Sequence, residues 1–284
     1  MFCNSVYHLL EEADQKTMTT MTCLPKGSWS LTANSGKKGR DWKIYLYQNE
    51  DGTGVSMFVR HGSAKVPFDV RVDRITEIEI NKEYYAKKDA TKFSMESFKK
   101  DVFPLLRKMV CNCSITSRHE LYVLPNFIYE QLKDLYCFKR IDIASTGEKS
   151  HQFMKNQLKN GNMISARFFG EGWPQSMEEL FLPFFKSPMF RYLGVPWDLR
   201  LHFDVVSAFV DGSFDGQLRE NACLTGPISF PTEDLFRKIG SSPQIKEESC
   251  TYSRYWKCGN RKITFMANSP TERIRYIHLI GGFP

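Results

Sequence analysis

A loop between a predicted strand and a predicted helix, residues 144–150, comes closest in this sequence to a site for chemistry. A phosphate-binding loop needs the spacing G-x-x-x-x-G-K-[ST], so that backbone N–H groups surround the phosphates and the lysine reaches the outer ones. Here Glu148 stands directly before Lys149, and Asp142 occupies the position of the first glycine. Because an acidic residue would repel the phosphates, we interpret the segment as a strand-to-helix turn with Ser150 as the N-cap.

Cysteines and histidines are the other residues from which a reactive site could be built. The sequence has eight cysteines and six histidines, but no C-x-x-C pair and no H-x-x-x-H spacing, so no zinc site is predicted. Cys111 or Cys137 could act as a nucleophile with His119 as the base only if the fold brought them together. We therefore predict no metal, no cofactor and no enzymatic activity.

Basic residues among aromatic residues suggest a third kind of chemistry, the binding of single-stranded nucleic acid. In the segment 254–262, two arginines and two lysines flank Tyr255 and Trp256, and such an arrangement can attract the backbone and stack on bases. The net charge is only +7 over 284 residues, however, and acidic residues are interspersed. We favour a solvated surface and keep two alternatives, nucleic-acid binding and a small-molecule enzyme without a recognisable motif.

The composition sets the class of protein. With 42% hydrophobic, 14% aromatic and 25% charged residues, the chain predicts a globular protein with a real core. No run approaches the ~18–20 apolar residues of a membrane span. The first residues lack the basic start and apolar centre of a secretory signal, and eight cysteines without such a signal indicate reduced thiols. We expect a soluble protein of the cytoplasm or nucleus that does not bind membranes.

Alternating helical and extended patterns predict the elements that would position any site. Period-two alternation predicts strands at 42–47 and 74–80, and an apolar stripe over 98–109 predicts a helix that Pro104 should kink. Beyond it, strands are predicted to start near residues 120, 140, 163 and 189, with helices between them. Ser176 and Glu179 have the spacing of a capping box at one helix start.

The alternation also repeats at a regular length. F-x-x-x-Q-L-K occurs at residues 127–133 and again at 153–159, and the predicted strands start 20 to 26 residues apart. Units of ~20–29 residues are typical of leucine-rich repeats, although the strict L-x-x-L-x-L spacing is absent. The sequence predicts an α/β fold, a short leucine-rich-repeat-like helix–strand solenoid with an N-terminal helical or hairpin segment. Its mostly parallel strands should include the regions of Ile75, Leu121, Ile141 and Ile164.

Several segments together resemble one known family. They are FCNSVYHLL at residues 2–10, FMKNQL at 153–158, GWP at 172–174, MEEL at 177–180 and the tryptophan–lysine pair at 256–257. These segments resemble the large nematode family of F-box proteins, in which an F-box precedes a C-terminal F-box-associated region. The resemblance implies a degenerate F-box-like segment over residues 1–40 and an F-box-associated α/β repeat-like domain over residues 41–284.

The resemblance also implies a function and partners. It implies a non-catalytic interaction protein like the substrate-receptor subunit of a Skp–cullin–F-box ubiquitin ligase, with a Skp-type adaptor, a cullin and a protein substrate as partners. An amphipathic N-terminal helix packed on the repeat body is the alternative for the F-box-like segment. The residues that would bind the adaptor are Leu9, Leu10, Met18, Met21 and Trp29.

The loops after the predicted strands are where we expect a partner to bind. In a repeat fold the strand face and these loops, here 146–149, 170–173 and 195–199, stay free for recognition. Tryptophan is a frequent interface anchor, so Trp173 and Trp197 are the candidate partner-binding residues. Trp173 precedes Pro174 at a predicted helix start and has more reason than Trp197 to be buried in the core.

Overall fold

The computed structural model describes residues 40–60, 73–83, 87–119, 123–159, 162–240, 246–250, 253–258, 261–267 and 276–282. These residues form a mixed α/β fold on one large sheet, which confirms the predicted fold class at that level. The segment predicted to be F-box-like, residues 1–40, lies outside the described residues apart from Arg40. So do all the predicted adaptor-binding residues, Leu9, Leu10, Met18, Met21 and Trp29.

The described part of the chain contributes thirteen strands to that sheet. They are β1 (Asp41–Gln48), β2 (Gly54–Arg60), β3 (Arg74–Lys82), β4 (Thr91–Ser94), β5 (Val110–Ser117), β6 (Phe138–Ala144), β7 (Ser165–Phe169), β8 (Tyr192–Gly194), β9 (Ala222–Pro227), β10 (Lys246–Cys250), β11 (Ser253–Cys258), β12 (Arg261–Ala267) and β13 (Tyr276–Gly282).

Helices connect most of the parallel strands. They are α1 (Met95–Ser97), a π-helical turn (Phe98–Val102), α2 (Phe103–Met109), α3 (Val123–Leu132), α4 (Glu148–Lys159), a 3-10 helix (Gln175–Leu180), α5 (Phe181–Phe185), α6 (Phe203–Asp215) and α7 (Thr232–Gly240). None of the helices in the described ranges is long and apolar enough to cross a lipid bilayer.

The parallel strands follow one another across the sheet in chain order. Among the described strands, β1, β3, β5, β6, β7, β8 and β9 pair in parallel, each beside the next one in this order. The antiparallel strands β2 and β4 continue the sheet on one side, and β13, β12, β11 and β10 continue it on the other. Right-handed crossovers that always step in the same direction place their helices on the same face of a sheet.

The strand register separates an apolar face from a polar one. Ile78, Ile115, Ile141 and Ala166 are successive partners across four strands, and all are buried in the core. Phe168 points the same way as Ala166, two residues before it, and its ring meets that of Phe181 in α5 at 5.7 Å. The helices therefore cover this face.

The opposite face we call the open face. Its central row runs through Glu79, Thr116, Asp142, Arg167 and Gly194 on β3 to β8, and these residues are successive register partners. The open face therefore bears polar and charged residues at the positions that alternate with the core.

One predicted strand was placed wrongly. A strand was expected to start near residue 120, in the region of Leu121; residues 120–122 lie outside the described residues, and α3 already begins at Val123. The parallel strand of this part of the chain is β5, residues 110–117. Pro125 lies in the first turn of α3, where a helix tolerates a residue without an N–H group. β5 was not predicted because Cys111, Asn112 and Cys113 obscure the alternation of apolar and polar residues along it.

The local predictions at helix starts were also partly wrong. Pro104 does follow an irregular stretch, the π-helical turn before α2, as predicted. Ser176, however, forms no capping box, because the 3-10 helix begins after Pro174 without a side-chain cap. Ser150 is not an N-cap either. It lies inside α4, and its hydroxyl accepts from the N–H of Thr146 and donates to the carbonyl of Gly147.

Candidate functional site

The loops that follow β6, β7 and β8 are tied together by hydrogen bonds. The N–H of Ser145 donates to the carbonyl of Phe169 at 3.0 Å, which joins the first two loops. The carboxylate of Asp198 accepts from the N–H groups of Gly172 at 2.5 Å and Trp173 at 3.3 Å, which joins the second and third. Since parallel strands end at the same side of a sheet, these bonds form one continuous ridge there.

The two candidate tryptophans have different surroundings in this ridge. Trp173 is only 4% exposed, and its indole N–H donates to the carbonyl of Phe169 at 2.8 Å. Its ring lies 4.7 Å from that of Phe168 and 5.1 Å from that of His151. Trp197 is 53% exposed. Trp173 thus holds the loops on the core, whereas Trp197 presents a large aromatic surface to solvent.

A serine and a histidine also meet at the ridge. Ser145 Oγ and His151 Nε2 are 3.0 Å apart, and burial lowers the pKa of His151, so the imidazole is neutral near pH 7. The ring is also hydrogen-bonded to the backbone of Gly172 in the loop after β7. His151 therefore links α4 to the loops after β6 and β7.

A buried carboxylate anchors the far end of the ridge. Glu178 is 7% exposed and accepts from the backbone N–H of His202 at 2.5 Å. The imidazole Nδ1 of His202 is hydrogen-bonded to the same carboxylate, to which Gln175 also donates at 3.0 Å. These bonds fix the 3-10 helix against the segment that leads into α6.

The open face carries a cluster of arginines and aromatic rings in the middle of the sheet. The guanidinium carbon of Arg167 lies 4.7 Å from the ring centre of Tyr192 and 5.8 Å from that of Phe169. The guanidinium of Arg118 lies 5.4 Å from the Phe169 ring and donates to Asp142 at 3.3 Å. The cluster therefore has two guanidinium groups on one aromatic ring, with one carboxylate beside them.

The neighbouring strand β9 extends this cluster with polar residues. The hydroxyls of Tyr192 and Thr225 are 3.0 Å apart, and a Cβ at Gly194 would come within 2.8 Å of the Tyr192 hydroxyl oxygen. Only glycine at position 194 therefore allows the Tyr192 ring to lie along the sheet.

Cys223, also on β9, has a histidine beside it, since its Sγ lies 3.7 Å from His278 Nε2. Burial raises the pKa of Cys223 to about 11, so the thiol is protonated at neutral pH and is a poor nucleophile.

The cysteine and histidine pairs suggested by the sequence are not brought together. Cys111 lies at the start of β5, whereas His119 lies beyond the end of that strand, eight residues further along the chain. Cys137 lies beside the start of the same strand, since its carbonyl accepts from the N–H of Cys113. Nowhere in the described ranges do three or more His, Cys, Asp or Glu side chains gather as metal ligands.

The basic hairpin at residues 254–262 is less suited to base stacking than its sequence suggests. Trp256 is fully buried, and its ring packs at 5.4 Å against Phe236 of α7. A base cannot reach that ring. The nucleic-acid alternative therefore loses the aromatic residue on which it depended most.

The arginine cluster was not found by sequence reasoning, although a usable pattern exists. In β6 and β7 the polar residues Asp142 and Arg167 each stand between two core residues, which is typical of a strand with one uncovered face. Only the strand register shows that they are neighbours.

Compared with known proteins, the chain matches no protein-family model, no curated protein and no solved structure. The features that bear on function are therefore the sequence patterns and the geometry of the ridge and the open face.

Proposed function

We propose that this chain is a non-catalytic interaction protein whose body is a short leucine-rich-repeat-like helix–strand solenoid. The main supporting observation is the sheet, in which the described parallel strands follow chain order while helices cover one face and polar residues line the other. In repeat proteins of this kind the uncovered strand face and the adjoining loops are where partners bind. The ridge with the exposed Trp197 adjoins the open face in the same way.

The strand order favours this proposal over a small-molecule enzyme. In doubly wound α/β sheets the strand order reverses at one point, and the crevice formed there is the usual ligand site. The parallel strands described for this chain do not reverse order, so the topology offers no such crevice. The reactive groups at the ridge, Ser145 and His151, are also used to fix its loops.

Within this proposal, the protein is a substrate receptor of a Skp–cullin–F-box ubiquitin ligase that works in the cytoplasm or nucleus. The support is the sequence resemblance of residues 1–40 to an F-box. A Skp-type adaptor would bind this segment through Leu9, Leu10, Met18 and Met21, and a cullin would join through the adaptor. The open face and the ridge would then be left for the protein substrate.

Co-expression with a Skp-type adaptor tests the receptor role. We expect the two chains to co-elute in size-exclusion chromatography and the complex to capture a cullin. The double substitution Leu9→Glu, Leu10→Glu should abolish co-elution because it places two charges in an apolar contact. Trp197→Ala, on the ridge, is the matched control and should leave adaptor binding intact. If the unmodified chain forms no complex with the adaptor, the receptor role is wrong.

A further inference from the structure

We propose that the open face binds an extended acidic segment of a protein partner, with carboxylates at alternate positions facing Arg140, Arg167 and Arg118. This inference builds on the proposed function, because it assigns a chemical class of partner to the face that a substrate receptor would use.

The spacing of the three arginines supports an extended ligand. In the register of β6 and β7, Asp142 is the partner of Arg167 and Ala144 is the partner of Phe169. Arg118 continues β5 two residues beyond Thr116, the partner of Asp142, and so lies level with Ala144. The arginines therefore occupy three successive levels, those of residues 140, 142 and 144, on three neighbouring strands that lie about 4.8 Å apart. Two residues of extended chain span about 6.6 Å, so carboxylates at i, i+2 and i+4 of a peptide match these levels along the strand direction.

The Arg167 side chain is held in place before any ligand arrives. Stacking on the Tyr192 and Phe169 rings restricts its guanidinium, and its Nε is buried yet has no hydrogen-bond partner among the described residues. Because the side chain is already ordered, binding costs little further conformational entropy.

Arg118 and Arg140 are accessible beside it. The side chain of Arg118 is 53% exposed, and its contact with Asp142 at 3.3 Å is longer than the about 2.7–2.9 Å of a strong charge-assisted bond. Arg140 is exposed on the neighbouring strand. Three guanidinium groups against the single carboxylate of Asp142 leave this part of the face positively charged.

The charges on the adjacent strand favour a protein segment over nucleic acid. Glu77 and Glu79 of β3 stand on the open face at the levels of Arg140 and Arg167, two strands from β6. Glu77 forms an ion pair with Lys43 at 2.5 Å, whereas Glu79 accepts a hydrogen bond from the neutral amide of Asn81. A continuous polyanion that crossed the face would meet the Glu79 carboxylate, whereas a short acidic segment would contact the arginines alone.

Fluorescence anisotropy on the full chain tests the proposal with designed peptides. The probe is a labelled nonapeptide with glutamates at three alternate positions. The first comparison peptide has the same composition with the three glutamates adjacent, and the second has lysines in place of the glutamates. A labelled single-stranded thymidine oligonucleotide completes the set. We expect the alternating acidic peptide to bind most tightly and its affinity to fall as the salt concentration rises.

Substitutions then assign the binding to the three arginines. Arg118→Gln, Arg140→Gln and Arg167→Gln together should weaken binding by at least about a hundredfold, since a bond to a charged group contributes roughly tenfold or more. The control is Lys108→Gln, Lys149→Gln and Lys159→Gln, which removes the same charge from exposed positions on the helical side. Asp142→Asn should strengthen binding several-fold because it removes the carboxylate that competes for Arg118.

Every result of these binding measurements either supports the proposed acidic-segment site or overturns it. The proposal is overturned if the alternating peptide fails to bind or binds equally well to the triple arginine variant. It is also overturned if the adjacent-glutamate peptide binds as tightly, or if the oligonucleotide binds more tightly than the peptides. Thermal melting of the variants confirms that they fold. Adaptor co-elution with no peptide binding would refute only this inference, and peptide binding without the adaptor would refute only the receptor role.

Discussion

Replacing each of the two ridge tryptophans by alanine should have very different effects on stability. Trp173→Ala removes a side chain that is 4% exposed and packs on Phe168 and His151, together with the indole bond to the Phe169 carbonyl. Removing a buried Trp or Phe side chain costs about 3–5 kcal/mol. At about 2–4 °C for each kcal/mol in a protein of this size, the melting temperature should fall by on the order of 10 °C.

Trp197→Ala is the matched comparison, since it makes the same chemical change one loop away. Its side chain is 53% exposed, and substitutions at the surface usually change stability by about 0.5 kcal/mol or less. We expect its melting temperature to stay within about 2 °C of the unmodified protein. If Trp197 is also an interface anchor, this variant should capture the partner less well while remaining stable.

A third variant separates packing from hydrogen bonding at the buried position. Trp173→Phe keeps an aromatic ring but loses the indole N–H. The Phe169 carbonyl still accepts from Ser145, but the smaller ring leaves part of the buried site unfilled, so the loss should be about 1–2 kcal/mol. Differential scanning calorimetry or urea unfolding of the three variants measures the series. Equal destabilisation by the two alanine substitutions, or a larger loss for phenylalanine than for alanine, would refute the assignment of Trp173 to the core.

Three further predictions concern the loops and the pH dependence of stability. Asp198→Ala should lower the free energy of unfolding by about 2–3 kcal/mol in urea titrations, because two backbone N–H groups lose a charged acceptor. Burial lowers the pKa of His151 and His278, so the folded state binds fewer protons than the unfolded state. The free energy of unfolding should therefore decline as the pH falls through about 6.5. Replacing both histidines by glutamine should flatten that decline. Burial raises the pKa of Cys223 to about 11 and of Cys137 to about 12, above their unfolded value near 9.0, so unfolding at alkaline pH releases protons. The stability should therefore fall between pH 9 and 11, by on the order of 2 kcal/mol for each thiol, and a pH-independent stability in this range would contradict both assignments.

The sequence predicted those elements whose burial follows a regular period. β6 was found because Ile141 and Ile143 alternate with polar residues, and α2 because the apolar residues of the stretch 98–109 recur at helical spacing. β5 was missed because its buried positions include Cys113 and Ser117, which do not stand out as apolar. Hydropathy describes a strand poorly when small sulfur and hydroxyl side chains fill its core positions.

The candidate sites were predictable only where they depend on neighbours in sequence. The exposed Trp197 could be inferred from the proline and aspartate beside it, because such a loop has little apolar surface to pack against. The meeting of Arg118, Asp142 and Arg167 depends on the register of three strands that are 24 to 25 residues apart in the chain. No local pattern contains that register, since a shift of one residue would turn every side chain to the other face.

The two outermost strands of the described sheet limit how it can associate with other chains. An edge strand offers a row of backbone donors and acceptors that can recruit a strand from another molecule. β4 has only four residues and includes Lys92, and β10 has five, of which Lys246, Glu247 and Glu248 are charged. Both edges are therefore short and charged, which disfavours growth of the sheet by strand addition. Loss of β4 would remove this protection on one side of the sheet, because it would make β2 the edge strand. β2 has seven residues with the apolar run Met57, Phe58 and Val59, so the new edge would be prone to aggregation.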